Sequence, residues 1–549
     1  MILLRSLCYL AVALAVALVV AVSANAASRD LDRSFGDDGI ALTAVGESDA
    51  YATDMALQPN GKIVVGGIGN SPLKGDDDVE HPDQRGAAIA RFNPDGTLDR
   101  SFGGDGIVLD HYSLEGSSID AVAVQPDGKI VVAGGGNCCV STLYVARYMP
   151  DGARDLGFGD DGLLRLGIRL DSTTARGIAL QPDGRILIGG FTNSEDIEPF
   201  VVRLTTDGER DPTYGTNGVA RLTLGNPQIP SADVGGLVLQ DGKAVISGSS
   251  SGDGHVDLFV ARLDEFGALD QTFGDGGVVY DRAGNDDQYV ARDLGLWSDK
   301  LIVTGFRGET WEEPRNYLLG RFDGLDGARD TSFNPGGTDP GYVFAGAGDG
   351  PPRGDSLAID PVTGAITVAG TAEQDGIRKL MVVRYLSDGS RDDTGFRSAN
   401  GNVGPRLLSL GDGSLSLNGA DPAVALDAEG GIVVATTALD AGRNKFALVR
   451  LGDTRPEPNA RPVARIRGQH VVPRNRWVRF GGLRSFDRDG RIVEYAWRTD
   501  NGPFRPLGPV FWHRFGRLGV HVVTLRVTDD GGAVSYATFR VNVRRASRS

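Results

Sequence analysis

The stretch Gln125-Pro126-Asp127-Gly128-Lys129, with Val122 and Val124 before it and Ile130 and Val132 after it, returns at near-constant spacing through most of the chain. Asp-Gly makes a tight turn because Gly accepts φ > 0. The alternating apolar residues give each flank one core-facing side, which is the pattern of a β-hairpin. The recurrences are Gln58 to Lys62, Gln181 to Arg185, Gln240 to Lys243, Ser298 to Lys300, Asp360 to Gly364 and Asp427 to Gly431, which with the first make seven hairpins.

Each hairpin leads into a strand that ends in an arginine: Arg91, Arg147, Arg203, Arg262, Arg321, Arg384 and Arg450. After every one but the last comes an Asp-x-x-aromatic element, opened by Asp99, Asp155, Asp211, Asp270, Asp330 and Asp393, at offsets of 8, 8, 8, 8, 9 and 9 residues. A further short strand follows each, so a unit holds about four strands over roughly 55 to 65 residues. Four-stranded units repeated seven times predict a β-propeller, with an open solenoid as the other architecture that repeats allow. Arg450 lacks its Asp, and an orphan copy stands at Asp32-Arg33-Ser34-Phe35-Gly36. Asp32 can serve Arg450 if the ring closes. All fourteen residues are expected to form structural ion pairs, since a place in every unit marks architecture and a binding site breaks symmetry.

Gly at 79 of 549 residues, about twice the usual share of roughly 7%, fits a chain made of turns. Residues 1–26 carry Arg5, an apolar run and Ala24-Asn25-Ala26, the pattern of a secretory signal with its cleavage site. A secreted or surface location without a membrane span or lipid anchor is therefore expected. Beyond the signal only Cys138 and Cys139 remain, so this is no disulfide scaffold. The net charge of −16 conceals an asymmetry: Thr454 to Ser549 holds 19 Arg, no Lys and 7 acidic residues, or +12, leaving −16 − 12 = −28 for the rest.

The combination L-D-x-x-F-G-x-x-G, Q-P-D-G-K-I-V-V-A-G and A-R-Y-x-P-D-G resembles the delta-60 repeat family of bacterial secreted proteins, over about residues 31 to 452. That resemblance implies a propeller-like scaffold and supplies no catalytic residues. Pro456, Pro458 and Pro462 mark an extended linker. Beyond it, Ser485-Phe486-Asp487-Arg488-Asp489-Gly490 through Trp497, then His513-Arg514-Phe515, Gly519 and Val523 through Gly531, resemble the PKD domain. Alternating Val523, Leu525 and Val527, and Phe539, Val541 and Val543, independently describe strands of a small β-sandwich with Trp497 in its core. Arg498-Thr499-Asp500-Asn501-Gly502 replaces the acidic loop common after that Trp. The expected fold class is all-β: a seven-bladed β-propeller (27–453) closed by its N-terminal segment, a linker (454–462) and a small Ig-like PKD β-sandwich (463–549).

Six His without H-E-x-x-H or Cys/His ligand spacing argue against transition-metal catalysis. Gly248-Ser249-Ser250-Ser251-Gly252 matches G-x-S-x-G, but within a β-repeat it lacks the strand–turn–helix that a nucleophile elbow needs. No cofactor is expected. Ca²⁺ stays open because Asp76 to Asp78, Asp160-Asp161 and Asp487 to Asp489 offer oxygen ligands, although turn formation explains most Asp-Gly pairs. Tyr112, Trp297, Trp311 and Tyr342 interrupt the repeat and are expected on loops, with Trp297 and Trp311 as candidate ligand-binding aromatics. The leading expectation is a non-enzymatic binding or scaffold protein for extracellular protein or polysaccharide. Its basic tail would engage anionic surface polymers or the acidic repeats. The alternatives are a propeller enzyme acting on extracellular glycans and a self-associating surface protein.

Overall fold

The computed structural model describes residues 30–70, 73–74, 80–81, 85–113, 116–135, 142–167, 172–193, 197–224, 231–252, 255–282, 287–310, 314–393, 396, 404–412, 415, 421–452, 462–486, 492–500, 502–529 and 534–545. The predicted signal, Cys138, Cys139, Trp311, Asp76 to Asp78, Asp487 to Asp489 and nearly all of the linker lie outside them. The chain divides into two compact units, 1–453 and 454–549. Each described element is a strand, bridge or turn.

The first unit holds seven four-stranded antiparallel sheets. In the first, Tyr51–Leu57 pairs with Ile63–Asn70, which pairs with Arg85–Phe92, which pairs with Ile107–Asp110. The same meander repeats through the sixth sheet, and the first strands of successive sheets pack on one another. The turns work as the sequence predicts: Gly61, Gly128, Gly184 and Gly242 have φ between 78° and 86°, and Ser298 takes the left-handed conformation in the one turn that lacks a glycine. Apolar faces meet between sheets. One core cluster joins Ala52, Val65 and Ala88 of the first sheet to Ala423, Val433, Phe446 and Leu448 of the last.

The seventh sheet is assembled from both ends of the unit. Its outermost strand, Ile40–Thr43, pairs with Arg443–Leu451, followed by Ile432–Asp440 and Ala423–Leu426. Asp32 N donates to Arg450 O at 2.8 Å, and Arg450 Nε lies 3.7 Å from Asp32 Oδ2.

The second unit sets a five-stranded sheet (Val471–Pro473, Val534–Arg544, Gly519–Asp529, Ile492–Thr499 and Arg505–Pro506) against a two-stranded one, Trp477–Gly481 with Val510–Arg514. Val478, Phe480, Trp497, Phe511, Val523, Leu525, Val541 and Val543 fill the space between them. Trp497 is buried as expected, stacked on Phe511 and donating Nε1–H to Gly508 O at 2.9 Å.

Candidate functional site

Two rings of charge run through the seven sheets. The outer one is the predicted set of ion pairs, buried in each repeat. Nε of Arg91, Arg147, Arg203, Arg262 and Arg321 donates to Asp99, Asp155, Asp211, Asp270 and Asp330 at 2.6–2.9 Å. Each guanidinium lies over its own repeat's aromatic ring, 4.5–4.8 Å from the centroid of Phe102, Phe158, Tyr214, Phe273 or Phe333. Each also donates Nη1–H to a turn carbonyl of the following sheet, as Arg203 does to Glu265 O at 2.6 Å. Arg450 repeats this across the ends of the unit, reaching Pro94 O at 3.4 Å.

A basic residue from each of the first five hairpins adds a second cation to the same Asp, as with Lys62 on Asp99 and Lys243 on Asp270, both at 2.7 Å. Burial opposes ionisation of these aspartates. The Lys, Arg and Ser or Thr donors outweigh it and hold Asp99 and Asp270 well below the usual carboxylate range. The sixth repeat requires a correction: Arg384 meets Asp392 at 3.4 Å, while Asp393 is held by Arg391 at 2.6 Å. The conserved quantity is the backbone bond from the Asp N–H to the Arg carbonyl, which Asp392 makes at 3.0 Å, so the extra residue lies between that Asp and Phe396.

The inner ring was not anticipated. In five sheets the pairing of the first two strands slips by one residue, leaving Thr53, Arg176, Gly235, Arg292 and Asp355 without a partner on the neighbouring strand. These are β-bulges, which re-aim a side chain out of the ladder. Asp120 and Pro422 occupy the equivalent places in the other two sheets. All seven line one cavity of about 100 Å³ together with Asp54, Asp293, Ser356 and Asp421. The glycine that closes V-V-A-G makes room for this stretch: a Cβ on Gly67, Gly134, Gly190, Gly248, Gly305 or Gly370 would sit 1.9–2.2 Å from a carbonyl oxygen of the first strand or, for Gly134, of Ser118 just before it. Gly305→Ala is expected to cost about 3 kcal/mol or more, since the obstacle is backbone. Urea unfolding of the variant would measure it.

Most carboxylates here serve as staples between sheets. Asp54 Oδ2 accepts from Val122 N at 2.7 Å, Asp293 Oδ2 from Leu357 N at 2.8 Å and Asp120 Oδ2 from Ala175 N at 3.3 Å. Ser249, Ser356 and Thr437 accept in the same way from Ala291, Val424 and Ala52. Ser250, the would-be nucleophile of G-x-S-x-G, is buried within the strand Lys243–Gly252, opposite Ala232 and Asp257. Arg292 bridges Asp421 at 2.8 Å and Asp355 at 3.7 Å. Asp421 holds Arg292 firmly charged and is itself held low by it.

Burial pushes Asp54 and Asp355 up to about 7 and Asp293 to about 6. An acid whose folded pKa is raised keeps a proton that the unfolded chain releases above about 4, so its stabilisation fades as pH rises from about 4 to 7. Asp99, Asp155, Asp211, Asp270 and Asp330 of the outer ring, all held low by their donors, act oppositely, and their stabilisation is lost as pH falls below about 4. Stability is therefore expected to peak near pH 4–5 and to decline by on the order of a few kcal/mol toward pH 8. Thermal melts across that range would check it; a Tm rising steadily to pH 8 would contradict it.

Of the predicted aromatics Tyr112 lies on a loop as expected, whereas Trp297 and Tyr342 lie in strands, and none of the three is an exposed platform. Tyr112 is buried with its hydroxyl 2.8 Å from that of Tyr148, and Tyr342 is buried in a strand, its hydroxyl donating to Asp281 at 3.1 Å. Trp297 ends the strand Gln288–Trp297 half-buried, its ring lying over the Gly364 turn of the next sheet. All three pack between strands because the apolar inter-sheet surface claims them. No group of three or more His, Cys, Asp or Glu suited to a metal occurs among the described residues.

With this geometry established, comparisons decide the modules. Residues 83–102, 125–158, 181–214, 239–273 and 363–394 match the domain of unknown function DUF5122 β-propeller family, and residues 459–543 match the PKD domain family. The chain carries delta-60-type DUF5122 propeller repeats followed by a PKD domain. The PKD portion is 40% identical over 86 residues to the Pre-pro-metalloprotease PrtV of Vibrio cholerae, a match spanning 16% of this chain and only 9% of that protein. It also resembles the crystal structure of the PKD1 domain of Vibrio anguillarum Epp, with 31% identity, 16% of this chain and 99% of that one covered, and a TM-score of 0.14. A structure of the polysaccharide lyase PL25 ulvan lyase aligns over 75% of this chain and 96% of its own at 11% identity, with a TM-score of 0.41. No helix among the described residues is long and apolar enough to cross a membrane.

Proposed function

We propose that this is a secreted, non-enzymatic binding and scaffold protein. Its seven sheets form a closed propeller that serves as a rigid platform, and its PKD domain is a second binding module. The pairing of Ile40–Thr43 with Arg443–Leu451 and the contact between Asp32 and Arg450 support closure. One observation carries the non-enzymatic reading: the charged axial cavity is about 100 Å³, well below the roughly 300–1,000 Å³ of ligand clefts. Asp54, Asp120, Asp293 and Asp421 are committed to neighbouring amides or to Arg292, while Asp355 meets Arg292 at 3.7 Å without a hydrogen bond to either oxygen among the described residues. Such a cluster fastens blades together and admits no sugar ring.

The reading is tested by exposing the full chain to arrayed glycans and extracellular proteins while following product release from soluble polysaccharides. Retention on ligands without new reducing or unsaturated ends is expected. Catalytic release of oligosaccharides would overturn it.

A further inference from the structure

The two-stranded sheet of the PKD domain presents an aromatic and basic face. Along Trp477–Gly481 the side chains alternate, with Val478 and Phe480 in the core and Trp477 and Arg479 outside; across the pair Phe511 is buried and Trp512 exposed. Trp477 lies opposite Arg514 and Arg479 opposite Trp512, so the two indoles sit diagonally on one face. They are 65% and 55% exposed. Both border a groove of about 580 Å³ with Arg467, Arg479 and Arg484, and no acidic residue is among its described lining side chains.

We infer that this groove binds an anionic polysaccharide, its indoles lying against sugar-ring faces and its guanidiniums on carboxylate or sulfate groups. The inference rests on the proposed binding function and gives it a site and a ligand class. Exposed indoles are costly on a soluble surface without a partner, and the volume falls within the roughly 300–1,000 Å³ of ligand clefts. The forked donor of Arg fits carboxylate and sulfate oxygens two at a time, which the point charge of Lys does not. The tail's +12, with 19 Arg and no Lys, gives long-range attraction that the −28 of the remaining chain withholds from polyanions. Two flat indoles on an open face, set among guanidiniums, favour a sugar chain, whose ring faces are free, over a nucleic-acid duplex, whose bases are stacked on one another.

The test uses the full chain with polygalacturonate, heparin, uncharged dextran and a duplex DNA oligonucleotide, at two salt concentrations. Binding to polygalacturonate or heparin, weakened by salt and absent on dextran, is expected. Trp477→Ala/Trp512→Ala should lose about tenfold or more in affinity, and Arg479→Gln/Arg484→Gln should flatten the salt dependence, both at an unchanged melting temperature. Unaltered polyanion binding by the folded Trp variant, equal binding to dextran, or tighter binding to DNA would overturn the site. If no anionic polysaccharide binds while the array still shows another ligand, this inference fails and the binding function stands. Cleavage of a retained polysaccharide would leave the site standing and refute the non-enzymatic reading.

Discussion

Removing residues 30–46 is expected to unfold the whole repeat unit, not merely to trim one edge of it. The segment supplies an outermost strand paired residue for residue from Ile40 with Val449 to Thr43 with Phe446. It buries Phe35 and Val45 completely and half-buries Leu31, Ile40 and Leu42 in the last sheet's core. At about 1.5–3 kcal/mol for each large side chain, the loss approaches on the order of 10 kcal/mol, comparable to the total stability of a domain. It also strips Arg450 of Asp32, one of its two carboxylates, and removes the bond from Gly36 N to Asp95 O on a turn of the first sheet. The strand Arg443–Leu451 becomes an open edge prone to pairing with other chains. Circular dichroism melts should lose the single cooperative transition, and a synthetic peptide of residues 30–46 should restore it. A truncated chain that melts like the intact one would contradict this.

The second large effect is expected from Arg262→Ala. This guanidinium binds Asp270 at 2.8 Å, Gln240 Oε1 at 3.2 Å and Gly324 O at 2.5 Å, and it lies 4.6 Å from the centre of the Phe273 ring. Truncation leaves a buried carboxylate and carbonyl short of donors and opens a void above the ring. Breaking such a pair costs about 3–5 kcal/mol. Arg262→Lys should recover little of it, because an ammonium cannot reach Asp270 and the next sheet at once. Chemical denaturation of both variants reads the difference; a loss below about 1 kcal/mol for Arg262→Ala would show that the clasp is not structural.

The hairpins and the outer Arg–Asp ring were legible because each is stated repeatedly in the chain, and the shared last sheet because the copy missing after Arg450 stands at Asp32 to Gly36. Repetition exposes what every blade needs. The inner ring escaped for the opposite reason. Thr53, Asp120, Arg176, Gly235, Asp355 and Pro422 each stand five residues before the residue that opens a turn, and Arg292 stands six before Ser298, yet the seven share no one chemistry. Disagreement at a near-fixed offset was the available signal. The glycine of V-V-A-G carries no role that repetition alone reveals; in the structure it makes room for a carbonyl two residues before the bulge or its equivalent. Trp297 and Trp311 drew attention by breaking the pattern; Trp297 proved to be packing and Trp311 lies outside the described residues. Trp477 and Trp512 obey their strands' alternation at its outward phase, where an aromatic has no core to serve.

The central claim is that the two ends of the repeat unit share one blade and so fix a ring of seven. The most direct measurement is a cysteine pair, Leu42→Cys with Ala447→Cys, at positions opposite one another in the last sheet. Their Cα separation in an antiparallel ladder, about 4.5–5.5 Å, suits a disulfide. A closed ring predicts that the bond forms within one chain on oxidation, identified by peptide mass spectrometry, and raises the melting temperature. Failure to form it, or a bond that links only separate chains, would contradict closure.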